Sequence, residues 1–111
     1  MHWKCLCLVP PDITEGVTDL LENETNPITF TCEATGEPVP TISWYYNNIL
    51  LNASDHNISS IVSGIVVESL LTIFNTQSSD VGTYNCYAEN IISIDRNSAV
   101  LTVNGKACLQ F

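Results

Sequence analysis

Residues 80–90 read Asp-Val-Gly-Thr-Tyr-Asn-Cys-Tyr-Ala-Glu-Asn, and this stretch decides the fold. Its first residues belong to a polar segment, 77–82, which indicates a loop. From 83 to 90, apolar and polar side chains alternate around Cys86. A period of two is typical of a β-strand with one buried face. We therefore predict a strand over residues 83–90 in which the side chain of Cys86 points into the core.

A second alternating segment surrounds Cys32, where Ile28 and Phe30 share its parity, and the proline-containing segment 36–40 interrupts it. Two interpretations of the cysteines stay open at this point. A bond between Cys32 and Cys86 would remove denatured-state entropy worth roughly 4 kcal/mol and would form only in an oxidising compartment. Alternatively, both are buried free thiols that behave as small hydrophobic side chains.

The rest of the chain shows more short strands and no persistent helical pattern. Strands are predicted over 42–46, 67–75 and 94–104, a turn at 47–48, and short edge strands with loops within 49–63. Turn residues recur every eight to twelve positions, which is typical of an all-β sandwich or barrel. We count seven strands, so the first and last should run parallel and the chain should leave the domain opposite its entry.

The residues of 32–44 and 71–90 resemble an immunoglobulin domain of the I set. A tryptophan follows the first cysteine by twelve residues, and an Asp-x-Gly-x-Tyr-x-Cys pattern ends at the second. The resemblance implies an all-β, immunoglobulin-like fold, a two-sheet antiparallel β-sandwich. We expect the domain to occupy 9–104, with flanks at 1–8 and 105–111. The segment between the predicted strand 42–46 and residue 67 is too short for the extra strand of a variable-type domain.

The resemblance also implies roles for the residues of this pattern. It pairs Cys32 with Cys86 in a disulfide and packs the indole of Trp44 against that bond. Tyr84 becomes a tyrosine corner, whose hydroxyl binds backbone at the preceding turn.

Two residues of that turn complete the implied set. Asp80 and Gly82 shape the turn, Gly82 through a backbone conformation that is costly for a residue with a β-carbon. Related domains often pair the aspartate with a basic residue, yet no Lys or Arg lies between residues 5 and 95. We therefore expect Asp80 to act through backbone N–H groups alone.

The charge balance excludes two classes of partner. The chain carries 12 acidic and 3 basic residues, a net charge of −9, and Arg96 is the only cation between Val9 and Asn104. Binding nucleic acid requires several lysines or arginines on one face, and so does binding an anionic membrane surface. We expect neither nucleic-acid binding nor direct membrane contact. The opening residues lack the apolar stretch of a signal peptide.

Three N-x-[ST] sequons begin at Asn23, Asn52 and Asn57, none with proline in the middle. All three fall in predicted loops or strand edges, as N-glycosylation requires. Together with the cysteine pair, they predict a glycoprotein that is extracellular, either on the cell surface or secreted.

No constellation predicts catalysis, a metal site or a cofactor. No arrangement of the predicted strands brings a histidine within reach of Ser78-Ser79-Asp80, and His56 is predicted to be a solvated residue of an Asn/Ser-rich loop. The Cys5-Leu-Cys7 pair lacks a second cluster at zinc spacing. The acidic residues of segment 12–24 lack the spacing of a calcium loop and are predicted to form a solvated acidic face. We expect a protein that is not an enzyme.

Function is therefore expected on the surface. The outward side chains Tyr45 and Tyr87, with Ile92 and Ile94 near the following turn, form the candidate binding face. Aromatic and aliphatic side chains on one sheet face are typical of an interaction patch. The alternative interpretation is that each is a singly exposed apolar residue, which is common on protein surfaces.

Three functions follow as hypotheses. The first is an extracellular module of a cell-surface adhesion molecule or receptor, which acts by protein–protein recognition, homophilic or heterophilic, or as a spacer. The second is a structural module of an intracellular, muscle-type filament protein. The third is a free-standing secreted ligand or decoy.

The remaining cysteines are predicted to lie in the flanks. If the chain enters and leaves at opposite ends, Cys5 or Cys7 cannot reach Cys108, because a disulfide needs α-carbons within about 7 Å. We expect all three to be free or available for an intermolecular disulfide with another chain.

Overall fold

The computed structural model describes residues 7–104, which form two packed β-sheets. In chain order the strands are β1 (Val9–Glu15), β2 (Leu20–Asn23), β3 (Ile28–Glu37), β4 (Thr41–Tyr46), β5 (Ile49–Leu50), β6 (Asn57–Ser63), β7 (Val66–Ile73), β8 (Gly82–Glu89) and β9 (Ile94–Asn104). One sheet has the strand order β1-β3-β7-β6 and the other β2-β9-β8-β4-β5. A short 3₁₀ turn, Ser78–Asp80, precedes β8. The predicted β-sandwich is confirmed.

The core lies between β3 and β8, each an interior strand of its own sheet. Along both strands every second residue is buried, because alternate side chains point to the same side of a strand. Cys32 and Cys86 form a disulfide between the sheets, with Cα atoms 6.4 Å apart. Trp44 is buried in the same cluster and lies directly opposite Cys86 on the neighbouring strand β4. The bond and the indole thus lie together between the sheets.

A buried serine holds the tryptophan in place. The indole N–H of Trp44 donates to Ser69 Oγ at 2.8 Å, and Ser69 is 0% exposed. Ser69 Oγ donates in turn to the carbonyl oxygen of Ser59 at 3.1 Å and lies 3.0 Å from Ser60 Oγ. These contacts link β4 of one sheet to β6 and β7 of the other. The indole N–H is therefore satisfied deep in the core, where an unpaired donor is costly.

The segment before β3 forms two strands that lie in different sheets. β1 pairs with β3, whereas β2 pairs with β9 in parallel, so the sandwich is not wholly antiparallel and the predicted count of seven strands is wrong. The chain changes sheets around Gly16, where an added Cβ would lie 2.6 Å from Asn97 Cγ. Because of this change, the acidic residues of segment 12–24 belong to both sheets, and the single acidic face predicted for them is also wrong.

The ends of several strands differ from the predicted ends. β3 runs on to Glu37, where it pairs with Val9 of β1, so the interruption predicted over 36–40 begins only at Pro38. β7 ends at Ile73 rather than at residue 75, and β8 spans Gly82–Glu89 rather than 83–90. At the predicted turn, Asn47 and Asn48 both have positive φ, 47° and 68°, which a two-residue hairpin loop between twisted strands requires.

The turn before β8 has the geometry of a tyrosine corner. The hydroxyl of Tyr84 donates to the backbone carbonyl of Asp80 at 2.7 Å. The pKa of Tyr84 is raised, chiefly by burial and then by the nearby charges of Asp80 and Tyr46. The phenol therefore keeps the proton that it donates. The Asp80 carboxylate accepts the backbone N–H of Gln77 at 2.8 Å.

Gly82 combines two constraints at the start of β8. Its φ is +155°, which L side chains rarely adopt, and an added Cβ would lie 2.6 Å from both Asn47 Oδ1 and Tyr46 Cε2. Glycine is thus required both by backbone conformation and by the close approach of the β4–β5 hairpin.

The ends of the described chain lie at opposite ends of the sandwich. The carbonyl of Val9 accepts the side-chain N–H of Asn90, beside the β8–β9 turn, whereas Asn104 accepts the backbone N–H of Glu24. Cys7 is exposed and has no disulfide partner among residues 7–104. The predictions for Cys5 and Cys108 concern positions outside the described residues.

Replacing Ser69 by alanine should destabilise the protein by about 1–3 kcal/mol, because the buried Trp44 N–H and the Ser59 carbonyl would both lose a partner. Urea unfolding monitored by tryptophan fluorescence measures the change. Ser63→Ala, in the exposed end of β6, is the matched control and should stay within about 0.5 kcal/mol of the parent. Equal effects of the two substitutions would contradict the role given to Ser69.

Candidate interaction face

The outer face of the five-stranded sheet presents a pair of tyrosines. Tyr45 on β4 and Tyr87 on β8 both point away from the core, since Trp44 and Cys86 beside them point inward. Their ring centroids lie 4.7 Å apart with an interplanar angle of 39°. Both rings are half-buried by their neighbours, so the pair is a pre-formed aromatic surface.

Two further exposed residues, which the sequence analysis did not assign to the binding face, lie beside the two tyrosines. Tyr45 is paired with Leu50 of β5, which is 58% exposed, and Tyr87 is paired with the exposed Arg96 of β9. Directly paired residues of antiparallel strands place their side chains on the same face. Arg96 is the only Lys or Arg in residues 7–104. We call Tyr45, Tyr87, Leu50 and Arg96 the tyrosine face.

The predicted isoleucines lie at the end of this face. Ile94 begins β9 and has the same parity as Arg96, so it is exposed on the same side of the sheet. Ile92 lies in the turn between β8 and β9, next to Ile91, which is 80% exposed. The structure therefore places Ile94 on the tyrosine face and Ile92 in the turn beside it.

Asn90 anchors that turn, a role that the sequence analysis missed. Its Oδ1 accepts the backbone N–H of Ile92 at 2.9 Å, and its Nδ2 donates to the carbonyls of Val9 at 2.8 Å and Pro38 at 3.0 Å. Three chain segments thus meet at one side chain. The signal was an asparagine directly after a strand, since asparagine often hydrogen-bonds backbone two residues ahead in turns.

The outer face of the four-stranded sheet carries a row of acidic side chains. Glu15, Glu33 and Glu68 lie directly opposite one another on β1, β3 and β7, and the exposed Ile61 of β6 ends the row. Like charges in register repel each other and favour solvation. Apolar contact with a partner is thus better served by the tyrosine face than by this acidic one.

The three sequons are exposed at the edges of the sheets. Asn23 ends β2, Asn52 lies in the loop after β5, and Asn57 begins the edge strand β6. The Oδ1 of Asn52 accepts the backbone N–H of Ser54 at 3.1 Å, which closes a local turn. None of the three belongs to the tyrosine face.

No group of three His, Cys, Asp or Glu side chains in residues 7–104 is arranged to hold a metal ion. His56 is exposed in the loop before β6, and it lines an open pocket that Asp80 also lines, so the expectation that no histidine comes near the Ser78–Asp80 turn is not met. Within the same range, no helix has the length and apolar character needed to cross a membrane.

Comparison with known proteins identifies relatives of this chain. It is 42% identical over 84 residues to Hemicentin-1 of Homo sapiens, covering 75% of the chain and 1% of that protein. It is 38% identical over 96 residues to the netrin receptor DCC of Homo sapiens, covering 86% of the chain and 6% of that receptor. Neogenin of Rattus norvegicus is 33% identical over 95 residues, with the same two coverages of 86% and 6%. The chain thus spans at most a few per cent of these curated relatives.

Solved structures of titin share the fold. A chimeric titin Z1Z2 superposes with a TM-score of 0.76 at 23% identity, over 89% of this chain and 99% of that one. Titin M4 in its trigonal form gives 0.75 at 22% identity, over 88% and 99%. At such identities the likeness concerns the fold alone.

The family follows from a match along most of the sandwich. The family model described as "Immunoglobulin domain" matches residues 10–90, which contain the Cys32–Cys86 disulfide, Trp44 and the tyrosine corner. The chain belongs to the immunoglobulin-domain family.

Proposed function

We propose that this chain is an extracellular immunoglobulin module of a cell-surface adhesion molecule or receptor and that it acts by protein–protein recognition through the tyrosine face. The observation that carries the proposal is the pair Tyr45 and Tyr87 with Leu50 and Arg96 on one exposed sheet face. Tyrosine and arginine are enriched among the residues that dominate binding energy at protein interfaces.

The geometry suits recognition because the face needs little reorganisation. The two rings already contact each other, and the strands beneath them are tied to the core by Trp44 and the disulfide. A rigid aromatic surface loses little conformational entropy on binding, so more of the contact energy appears as affinity. Arg96 adds a directional donor set that can pair with a carboxylate of the partner.

The disulfide and the sequons support an extracellular setting. A bond such as Cys32–Cys86 persists in oxidising compartments and is rare in the cytosol. The asparagines of all three sequons are exposed, as modification requires. One relative is named as a netrin receptor, which supports the hypothesis that this chain is a module of a receptor. The alternative, a module of an intracellular filament protein, has the titin likeness in its favour, and that likeness extends to the fold only.

Peptide mapping of the protein isolated from its own tissue should separate the two settings. Digestion without reductant should release the peptides of Cys32 and Cys86 as one linked species, and at least one sequon peptide should carry hexosamine. Mass spectrometry measures both. Free thiols at both cysteines together with three unmodified sequons would favour the intracellular module instead.

Tyr87→Ala should weaken cell binding by the full chain about thirtyfold or more, since truncating a residue that dominates an interface costs about 2 kcal/mol or more. Fluorescent tetramers of the secreted chain, applied to a panel of cell lines and to beads coated with the same chain, report heterophilic and homophilic binding. Leu70→Ala removes a half-buried apolar side chain from the outer face of the other sheet and is the matched control. Unchanged binding by the Tyr87 variant, with its circular dichroism intact, would contradict the proposed face.

A further inference from the structure

An open pocket of about 440 Å³ lies where the edges of the two sheets diverge. Its apolar lining includes Leu51, Leu71 and Ile73, and its polar lining includes Asp55, His56 and Asp80. This volume lies within the range of small-ligand sites, which combine apolar walls with a few polar groups.

Phe74 leaves an aromatic ring exposed beside this pocket. The residue directly follows β7, lines the pocket and is 64% exposed. A large apolar side chain next to an apolar depression forms a patch of the kind that a ligand or another molecule usually covers.

Asn57 is the first residue of a sequon and lines the same pocket. It is paired with Thr72 of β7, so Phe74 lies two positions further along, just past the end of that neighbouring strand and within diagonal reach of a long side chain. The backbone that leads into Asn57 is held by hydrogen bonds that Asp55 N and His56 N donate to the carbonyl of Asn52, both 3.0 Å. Asn57 therefore presents its side-chain amide from a fixed position at the pocket rim.

We propose that Asn57 carries an N-linked glycan whose first N-acetylglucosamine folds back over Phe74 and covers this pocket. The C–H face of a pyranose ring can pack on an aromatic ring, while its hydroxyl groups donate to carboxylates such as those of Asp55 and Asp80. A neutral sugar suits a rim that carries two carboxylates, which would repel an anionic ligand. The proposal rests on the extracellular setting proposed above, because the modification occurs only in the secretory pathway.

The modification itself needs a lipid-pyrophosphate-linked oligosaccharide as co-reactant. A bond forms between the Asn57 amide nitrogen and C1 of the sugar, the C1–O bond to the pyrophosphate breaks, and the lipid pyrophosphate leaves with the bonding electrons. The amide nitrogen loses one proton. No oxidant or reductant takes part.

The other sequons provide internal controls. Asn52 is close in sequence but does not line the pocket, and its side-chain oxygen is already engaged with Ser54 N. Asn23 lies on β2, in the other sheet. A sugar on either asparagine would not contact Phe74 and would not stabilise the fold through it.

The test uses the full chain secreted from a host that adds high-mannose glycans, trimmed with endoglycosidase H to one N-acetylglucosamine per site. Ser59→Ala deletes the Asn57 sequon without changing Asn57, and Ser54→Ala does the same for Asn52. Urea unfolding should show that Ser59→Ala lowers the folding equilibrium constant about fivefold to tenfold, whereas Ser54→Ala changes it less than about twofold. The effect of Ser59→Ala should disappear in a Phe74→Ala background, because the sugar would have lost its contact.

A second measurement covers the case in which Phe74→Ala fails to fold. In the parent protein carrying isotope-labelled N-acetylglucosamine, nuclear Overhauser effects should connect sugar protons to the Phe74 ring. Additive effects of Ser59→Ala and Phe74→Ala, or an occupied Asn57 whose sugar shows no contact with Phe74, would overturn the proposal. A bare Asn57 beside glycosylated Asn23 and Asn52 would overturn it and leave the proposed extracellular function standing. Three bare sequons would count against both.

Discussion

The disulfide between Cys32 and Cys86 is the constraint on which the rest of the structure depends. It joins β3 and β8, interior strands of opposite sheets, and so sets the spacing that Trp44 fills. On the chain-entropy model a closed loop of this length is worth roughly 4 kcal/mol. Since domains of this size are stable by only about 5–15 kcal/mol in total, much of the fold's stability depends on one bond.

With the interior held in this way, the two outer faces can differ in chemistry. One carries Tyr45, Tyr87 and Arg96, and the other carries glutamates in register across three strands. The first suits apolar and directional contact with a protein, and the second favours solvent. The proposed division is therefore between a face that contacts a protein partner and a face that stays solvated.

Patterns local to a strand are readable from the residues themselves. The contacts between strands that could be predicted, the Cys32–Cys86 disulfide and the packing of Trp44, came from the family resemblance. The alternation around Cys32 and Cys86 predicted both core strands, and β9 has the predicted bounds of 94–104. At the change of sheet, Gly16 lies close to Asn97 of the distant strand β9, a contact that no local pattern of the sequence predicts. The roles of Ser69 and of the pairing between Tyr45 and Leu50 likewise depend on register, which a single strand's sequence does not contain.

The free energy of unfolding with and without the disulfide tests this account most directly. It would be measured by urea denaturation of the parent chain and of the double variant Cys32→Ala/Cys86→Ala, with Cys7→Ala as the control for loss of a cysteine outside the core. The account predicts a loss of roughly 4 kcal/mol for the double variant and no change for the control. Equal stability of all three proteins would contradict it, because the sheets would then be held together without the bond.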